Sequence, residues 1–381
     1  MTETRAGAED ASGGPPEPRI KQFFQAMMET QASDLHLKPG QPAYTRVKVR
    51  ITPTRSPVLS GEEIEAMAIE LMTEAQRAQY MSTGQVDLAY ELPGQDRFRI
   101  NVFRQRGQTA VAVRRVTRDI PDFDALHLPP MIQQIADGHQ GLVLLSGPTG
   151  SGKSTTIASM LQYINKTRAC HIVTIEDPIE YLYEDHKALV NQREMGIDVP
   201  SFEEALKALM REDPDVVLIG EMRDRETFQA ALQVSETGHL VFGTVHASSA
   251  SQTIGRILDL FPIESRGRVR QSLAFNCRAI ICQMLLPSVI EGVDRVPAVE
   301  ILLSTPSMRQ LILEERDPEL PDLIRASEND GMLSFTRSLL TLIEKDYIDA
   351  KTAYESAPNV DELKMVMKGI SAGRSGLIGR G

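Results

Sequence analysis

A lysine and a hydroxyl follow three glycines at one fixed spacing in the middle of this chain. Gly147-Pro148-Thr149-Gly150-Ser151-Gly152-Lys153-Ser154-Thr155 satisfies G-x-x-x-x-G-K-[ST] at every fixed position. Glycines let successive backbone N–H groups turn inward onto phosphate oxygens, and a following helix offers its positive end. In that arrangement Lys153 reaches the β- and γ-phosphates and the Ser154 hydroxyl helps to hold Mg²⁺. The pattern is that of a nucleoside triphosphate site, with ATP and Mg²⁺ as its expected cofactors.

Triphosphate hydrolysis also needs one carboxylate to orient or deprotonate water and another near the metal. Ligands of open α/β sheets gather at the carboxyl ends of strands. Glu176, Asp177 and Glu180 follow the apolar run Cys170–Ile175, and Glu221 ends the run Asp215–Ile219. The competing reading of Asp177-Pro178 is a turn. His239 and His246 bracket Leu240–Val245. On a regular strand they face opposite sides, which argues against a metal pair. Spacing alone leaves them open between phosphate sensing, hydrogen-bond relay and satisfied core histidines. Arg97, Arg99, Arg104, Arg114 and Arg115 alternate with apolar residues across two strand candidates. They suit either a solvated sheet face or guanidinium donors to a nucleotide in a neighbouring subunit. Arg256, on a helix candidate after His246, competes for the second role.

Positioning these groups requires strand–helix alternation. From Met131 the chain supplies it, with the Leu142–Leu145 strand, its helix, and strands over 170–175, 215–219 and 239–246. Ser201 with Glu204 marks a helix start between them. A parallel sheet of the RecA-like kind is expected, with a mainly helical part beyond Ser251. Before it, residues 19–117 read as a small α+β module. A helix spans 20–30, strands 33–37 and 44–51, a helix 62–80, and strands 86–91, 97–104 and 109–116. Residues 118–130, with Pro121, Pro129 and Pro130, read as a linker. Residues 1–18 and 371–381 read as a disordered leader and tail.

Composition bounds the partners. The 381 residues carry 41 basic and 52 acidic side chains, net −11, so no global field draws in nucleic acid or anionic lipid. Trp is absent, and no basic–aromatic strip of the single-strand-binding kind occurs. Both facts speak against a nucleic-acid translocase. Cys170, Cys277 and Cys282 form no CxxC pair, which signals neither zinc nor a disulfide framework and suits the reduced cytosol. No apolar run reaches the roughly 18–20 residues that span a bilayer.

The chain resembles the hexameric ATPases of the type II/IV secretion superfamily, and within them the twitching-motility pilus retraction motors. The residues that carry the resemblance are Gly147–Ser154, the acidic box Thr174–Glu180, the Walker B segment Asp213–Asp224 and the histidine box Glu236–His246. Ser33–Leu37 and Arg97–Asn101 resemble the same family's N-terminal domain. The resemblance implies a PAS-like N-terminal domain at 19–117, a RecA-like domain at 131–370, and a homo-hexamer. It implies Glu180 as the catalytic carboxylate, Glu221 near the Mg²⁺ shell, and His239 with His246 as the histidine-box pair. Arg99, Arg104 and Arg114 are then the N-terminal-domain donors. It further implies a cytoplasmic protein held at the inner membrane by a pilus platform protein, beside which a paralogous pilus ATPase can work. The four-cysteine insertion of the extension motors is absent. One departure stands at Ser307–Glu314, where Leu313 replaces the second basic residue of the retraction motors' segment. It leaves open a principal or an accessory retraction motor. A non-hydrolysing regulatory subunit is disfavoured by the complete acidic and histidine boxes.

Overall fold

The structure, a computed structural model, describes residues 18–47 and 50–369. The expected leader falls, except for Pro18, outside the described residues, as does the expected tail. The chain divides into two compact units, Met1–Arg118 and Asp119–Gly381.

In the first unit, strands β1 (Asp34–Leu37), β2 (Tyr44–Val47), β3 (Arg50–Pro53), β4 (Gln85–Glu91), β5 (Arg97–Gln105) and β6 (Gln108–Val116) form one sheet of order β3-β2-β1-β6-β5-β4. Every neighbouring pair is antiparallel. The residues expected as one strand over 44–51 belong to two, paired from Tyr44↔Pro53 to Val47↔Arg50. The helix expected over 62–80 is likewise two, Gly61–Glu70 and Glu74–Thr83. The interruption has a local cause. Thr73 leaves the helical region and forms a reciprocal capping box with Gln76, as Ser60 does with Glu63. Helix Lys21–Glu29 buries Phe24, whose ring stacks on Phe98 of β5 at 4.4 Å.

Along β5 the apolar residues Phe98, Ile100 and Val102 point into the core and the polar ones alternate outward. Arg99 therefore stands directly opposite Arg114 of β6. Two like charges in register repel. Asp34 of β1 supplies the counter-charge, accepting from Arg114 Nε at 2.9 Å and pairing with Arg46 at 3.3 Å. Arg104 lies over the Tyr80 ring, 5.3 Å from its centroid.

The second unit contains β7 (Gly141–Ser146), β8 (His171–Glu176), β9 (Leu189–Glu194), β10 (Val216–Ile219), β11 (Leu240–Val245), β12 (Cys277–Pro287) and β13 (Arg295–Leu303). Their order is β13-β12-β7-β11-β10-β8-β9. All neighbours are parallel except β12 and β13. Alternate residues of the central strands feed two cores. Leu142, Leu144, Val217, Ile219 and Val241 pack on one face, and Val143, Leu145, Val216, Leu218 and Phe242 on the other. Helices cover both faces, which is why these strands are apolar throughout rather than alternating.

The sequence expectation fails in two places here. The part beyond Ser251, expected as mainly helical, contains the antiparallel pair β12 and β13 before helices resume at Pro306. Strand β9 was not anticipated. The expected linker forms no helix or strand, yet Phe123, Leu126 and Leu128 pack against the core of the second unit, with Phe123 against the Tyr163 ring at 5.5 Å.

Candidate nucleotide site

Strand β7 ends at Ser146 and the glycine loop leads into helix Lys153–Thr167. Gly147 has φ +150°, and a Cβ there would lie 2.4 Å from the Gln283 carbonyl oxygen. Only glycine lets the loop pass so close to β12. Gly152 caps the helix in the left-handed region with no side-chain bond, so the first helical N–H groups have no side-chain partner. This helix start lines a cleft of about 380 Å³ together with the ends of β8 and β10. Buried Gln283 fastens the loop from behind: its Nε2 donates to Ser151 O at 2.8 Å and its Oε1 accepts from Thr156 Oγ1 at 2.8 Å. Lys153 Nζ donates to Gly147 O at 2.8 Å and Pro148 O at 3.1 Å. Burial lowers the Lys153 pKa, and the carboxylates of Glu221 and Glu180 act against that.

The segment leaving β8 forms the second wall. Ser154 Oγ donates to Glu180 Oε1 at 3.0 Å, and the Thr155 and Tyr181 hydroxyls meet at 3.0 Å. Glu176 is turned inward instead. Its Oε1 accepts from Thr174 Oγ1 at 2.6 Å and faces Gln192 Nε2 at 3.3 Å. Burial pushes its carboxyl up to about 7, against the pull of those hydrogen bonds.

The third wall follows β10. Thr244 Oγ1 donates to Gly220 O at 2.6 Å, and a Cβ on Gly220 would lie 3.2 Å from the Glu176 Cα, so the two acidic segments run in close approach. Glu221 Oε1 lies 3.1 Å from His246 Nε2 and also pairs with Arg223. A carboxylate only accepts, so His246 Nε2 carries the hydrogen. Burial works to raise the Glu221 pKa, and the Arg223 guanidinium and His246 overcome it and hold the group ionised below its ordinary range.

Lys153, Ser154, Glu180, Glu221 and His246 thus line one cleft, with Thr149, Gly150, Gly152 and Thr155. His239 does not join them. It stands at the opposite end of β11, where Nδ1 donates to Val234 O at 3.0 Å beside Thr237. Seven residue steps at about 3.3 Å each hold the two histidines roughly 23 Å apart. Arg256 lines an adjoining apolar pocket of about 300 Å³, with Met222, Phe228 and the other side of His246. Arg99, Arg104 and Arg114 belong to the first unit. Sequence reasoning missed Gln283, Tyr181 and Gln192. Gln283 had a signal, a lone amide inside the apolar run Ala279–Leu286. Gln192, in Leu189–Glu194, had none.

The donor set fits a phosphate chain and its magnesium. Mg²⁺ takes one or two protein oxygens beside phosphates and water. Ser154 Oγ and the Glu180 and Glu221 carboxylates are hard oxygens at the helix start. Among the described residues no group of three His, Cys, Asp or Glu converges as a separate metal cage.

A glycine loop after a central parallel strand, with carboxylates at the carboxyl ends of two other parallel strands of the same sheet, defines a RecA-like P-loop domain. The chain belongs to the type II/IV secretion system protein family, which matches residues 9–319. It is 41% identical over 326 residues to the Pseudomonas aeruginosa type IV pilus retractation ATPase PilT, covering 86% of this chain and 94% of that protein. It is 36% identical over 349 residues to the type IV pilus ATPase PilU of the same organism, covering 92% and 91%. A crystal structure of the pilus retraction motor PilT with bound ADP aligns with TM-score 0.84 at 41% identity, over 91% of this chain and 99% of that one.

Proposed function

We propose that this chain is the ATP-hydrolysing subunit of a homo-hexameric motor that powers type IV pilus retraction. One observation supports it most: the Glu180 carboxylate is hydrogen-bonded to the P-loop hydroxyl of Ser154 inside a chain so similar to a retraction ATPase. The glycine-loop N–H groups and Lys153 bind the β- and γ-phosphates of ATP. Ser154, with Glu221 close by, holds Mg²⁺, which when bound neutralises phosphate charge. Glu180 accepts the proton of the attacking water. His246 and Arg223 keep Glu221 ionised and oriented. Arg99, Arg104, Arg114 or Arg256 supplies the guanidinium that completes the charge balance, and His239 anchors its strand from outside the cleft. Residues 118–130 act as the hinge that converts nucleotide turnover into motion between the units. The output is delivered to a pilus platform protein at the inner membrane from the cytoplasmic side. No helix among the described residues is long and apolar enough to cross a membrane.

The likeness to PilU and the exposed Leu313 favour a second reading, an accessory motor that depends on a paralogous ATPase. ATPase assays on the purified chain, wild type beside Glu180→Ala, with oligomer mass in the same buffer, test both. A hexamer whose turnover disappears in the variant is expected. A hexamer without turnover in either form transfers the proposal to the accessory reading, and salt-sensitive DNA binding would revive a translocase.

A further inference from the structure

We infer that Gln192 is a positioning residue for hydrolysis, fixing the backbone of the loop that carries Glu180. The inference rests on the proposed role of Glu180 as the base. Gln192 belongs to β9, outside the nucleotide cleft, and three hydrogen bonds define its amide. Oε1 accepts from the backbone N–H of Tyr183 at 3.0 Å, and Nε2 donates to the backbone carbonyl of Tyr181 at 2.8 Å. A peptide N–H can only donate and a carbonyl can only accept, so these partners assign the amide orientation without ambiguity. The remaining Nε2 hydrogen then faces Glu176 Oε1 at 3.3 Å. The same carboxyl oxygen accepts from Thr174 Oγ1 at 2.6 Å.

The amide therefore grips the loop just beyond Glu180 at two backbone groups, Tyr181 O and Tyr183 N. Tyr181, whose carbonyl Gln192 holds, also reaches Thr155 of the P-loop helix with its hydroxyl at 3.0 Å. The P-loop helix and β9 are thereby both tied to the one short loop that carries Glu180. A misplacement of about 1 Å in a reacting group costs about 100-fold in rate. Gln192→Ala cuts both backbone bonds and leaves the P-loop untouched, so the inference predicts a loss in kcat without a loss in nucleotide affinity.

The test is a cycle of Gln192→Ala, Glu180→Gln and the double variant, with steady-state turnover, affinity for fluorescent ADP and oligomer mass measured on each full chain. Gln192→Ala is expected to lower kcat on the order of 10–100-fold with ADP affinity nearly unchanged. The double variant is expected to be no slower than Glu180→Gln, because a misplaced base and an absent base are the same defect. Normal turnover in Glu180→Gln would refute the base assignment rather than the clamp. An inactive Glu180→Gln beside a fully active Gln192→Ala, or losses that multiply in the double variant, would overturn the clamp alone.

Gln192→Glu guards against a folding failure. Protonated, the introduced carboxyl has a donor and an acceptor like the amide; ionised, it has only acceptors and stands against Glu176. Its turnover relative to wild type is expected to rise as pH falls from about 8 to about 6, as neutral carboxyls replace a repelling pair. A ratio independent of pH would overturn the inference.

Discussion

Ser154 Oγ and Glu180 Oε1 meet at 3.0 Å, which joins the first turn of the P-loop helix to the loop leaving β8. The hydroxyl proposed to hold Mg²⁺ and the carboxylate proposed to activate water thus touch directly. Glu180→Gln keeps the shape and removes the base. Its kcat should fall by about 10²–10⁴-fold while ADP affinity stays near wild type, measured by steady-state turnover and ADP titration. Ser154→Ala should instead weaken the Mg²⁺-dependent part of nucleotide affinity as well. Equal effects of the two variants on affinity would contradict the division of roles.

Glu176 predicts a pH dependence of stability. Burial raises its carboxyl from 4.5 to about 7 in the folded chain. The folded state then keeps a proton that the unfolded state has released. Its contribution is full below about pH 4.5 and is lost as pH rises through about 7, an amount on the order of 3 kcal/mol. Glu176→Gln abolishes that slope. The variant's Tm should gain on wild type at about pH 8 and show little gain near pH 5. A pH-independent difference in thermal unfolding would refute the buried-carboxyl account.

The glycine loop separates two kinds of constraint. At Gly147 an added Cβ meets the backbone oxygen of Gln283 at 2.4 Å, whereas at Gly150 (φ +78°) it meets nothing within 4 Å. Gly147→Ala must displace the loop from β12 and should abolish ADP binding. Gly150→Ala carries only the left-handed backbone penalty, about 1 kcal/mol, and should weaken ADP by about tenfold or less. Isothermal titration of both variants checks the order.

Arg270 binds Asp317 with two parallel hydrogen bonds of 2.8 and 2.7 Å and also donates to Ile312 O at 3.1 Å. Both charged side chains are mostly buried. Arg270 thereby fastens helix Ile263–Asn276 to the end of Pro306–Leu313 through Ile312 and to the short turn Asp317–Glu319 through its ion pair. Arg270→Met leaves a buried carboxylate without its fork and should cost about 3 kcal/mol in denaturant unfolding. A change below about 1 kcal/mol would mark the pair as an exposed-type bridge.

The chemistry of this chain was legible because its motifs are local. Phosphate binding needs glycines, a lysine and a hydroxyl within one turn, and the spacing of Gly147–Ser154 states that requirement in consecutive residues. The strand–helix alternation of the second unit was legible for a similar reason, since each apolar run is short and separately punctuated. The hairpin of β12 and β13 was not. Ala279–Leu286 is apolar except for Gln283 and carries no two-residue period, so a helix and a strand read alike until the edge of β7 claims it. The histidine box shows the same limit. Its spacing is explicit, but only the length of β11 decides that His246 enters the cleft while His239 does not. Gln283 and Thr156 are 127 positions apart, and Gln192 meets the acidic loop only because β9 docks beside β8. Such side-chain clamps depend on sheet order, which the packing of the whole domain sets. The residues proposed for the chemistry therefore stand in local motifs of the sequence, and the tertiary structure chose the residues that hold them in place.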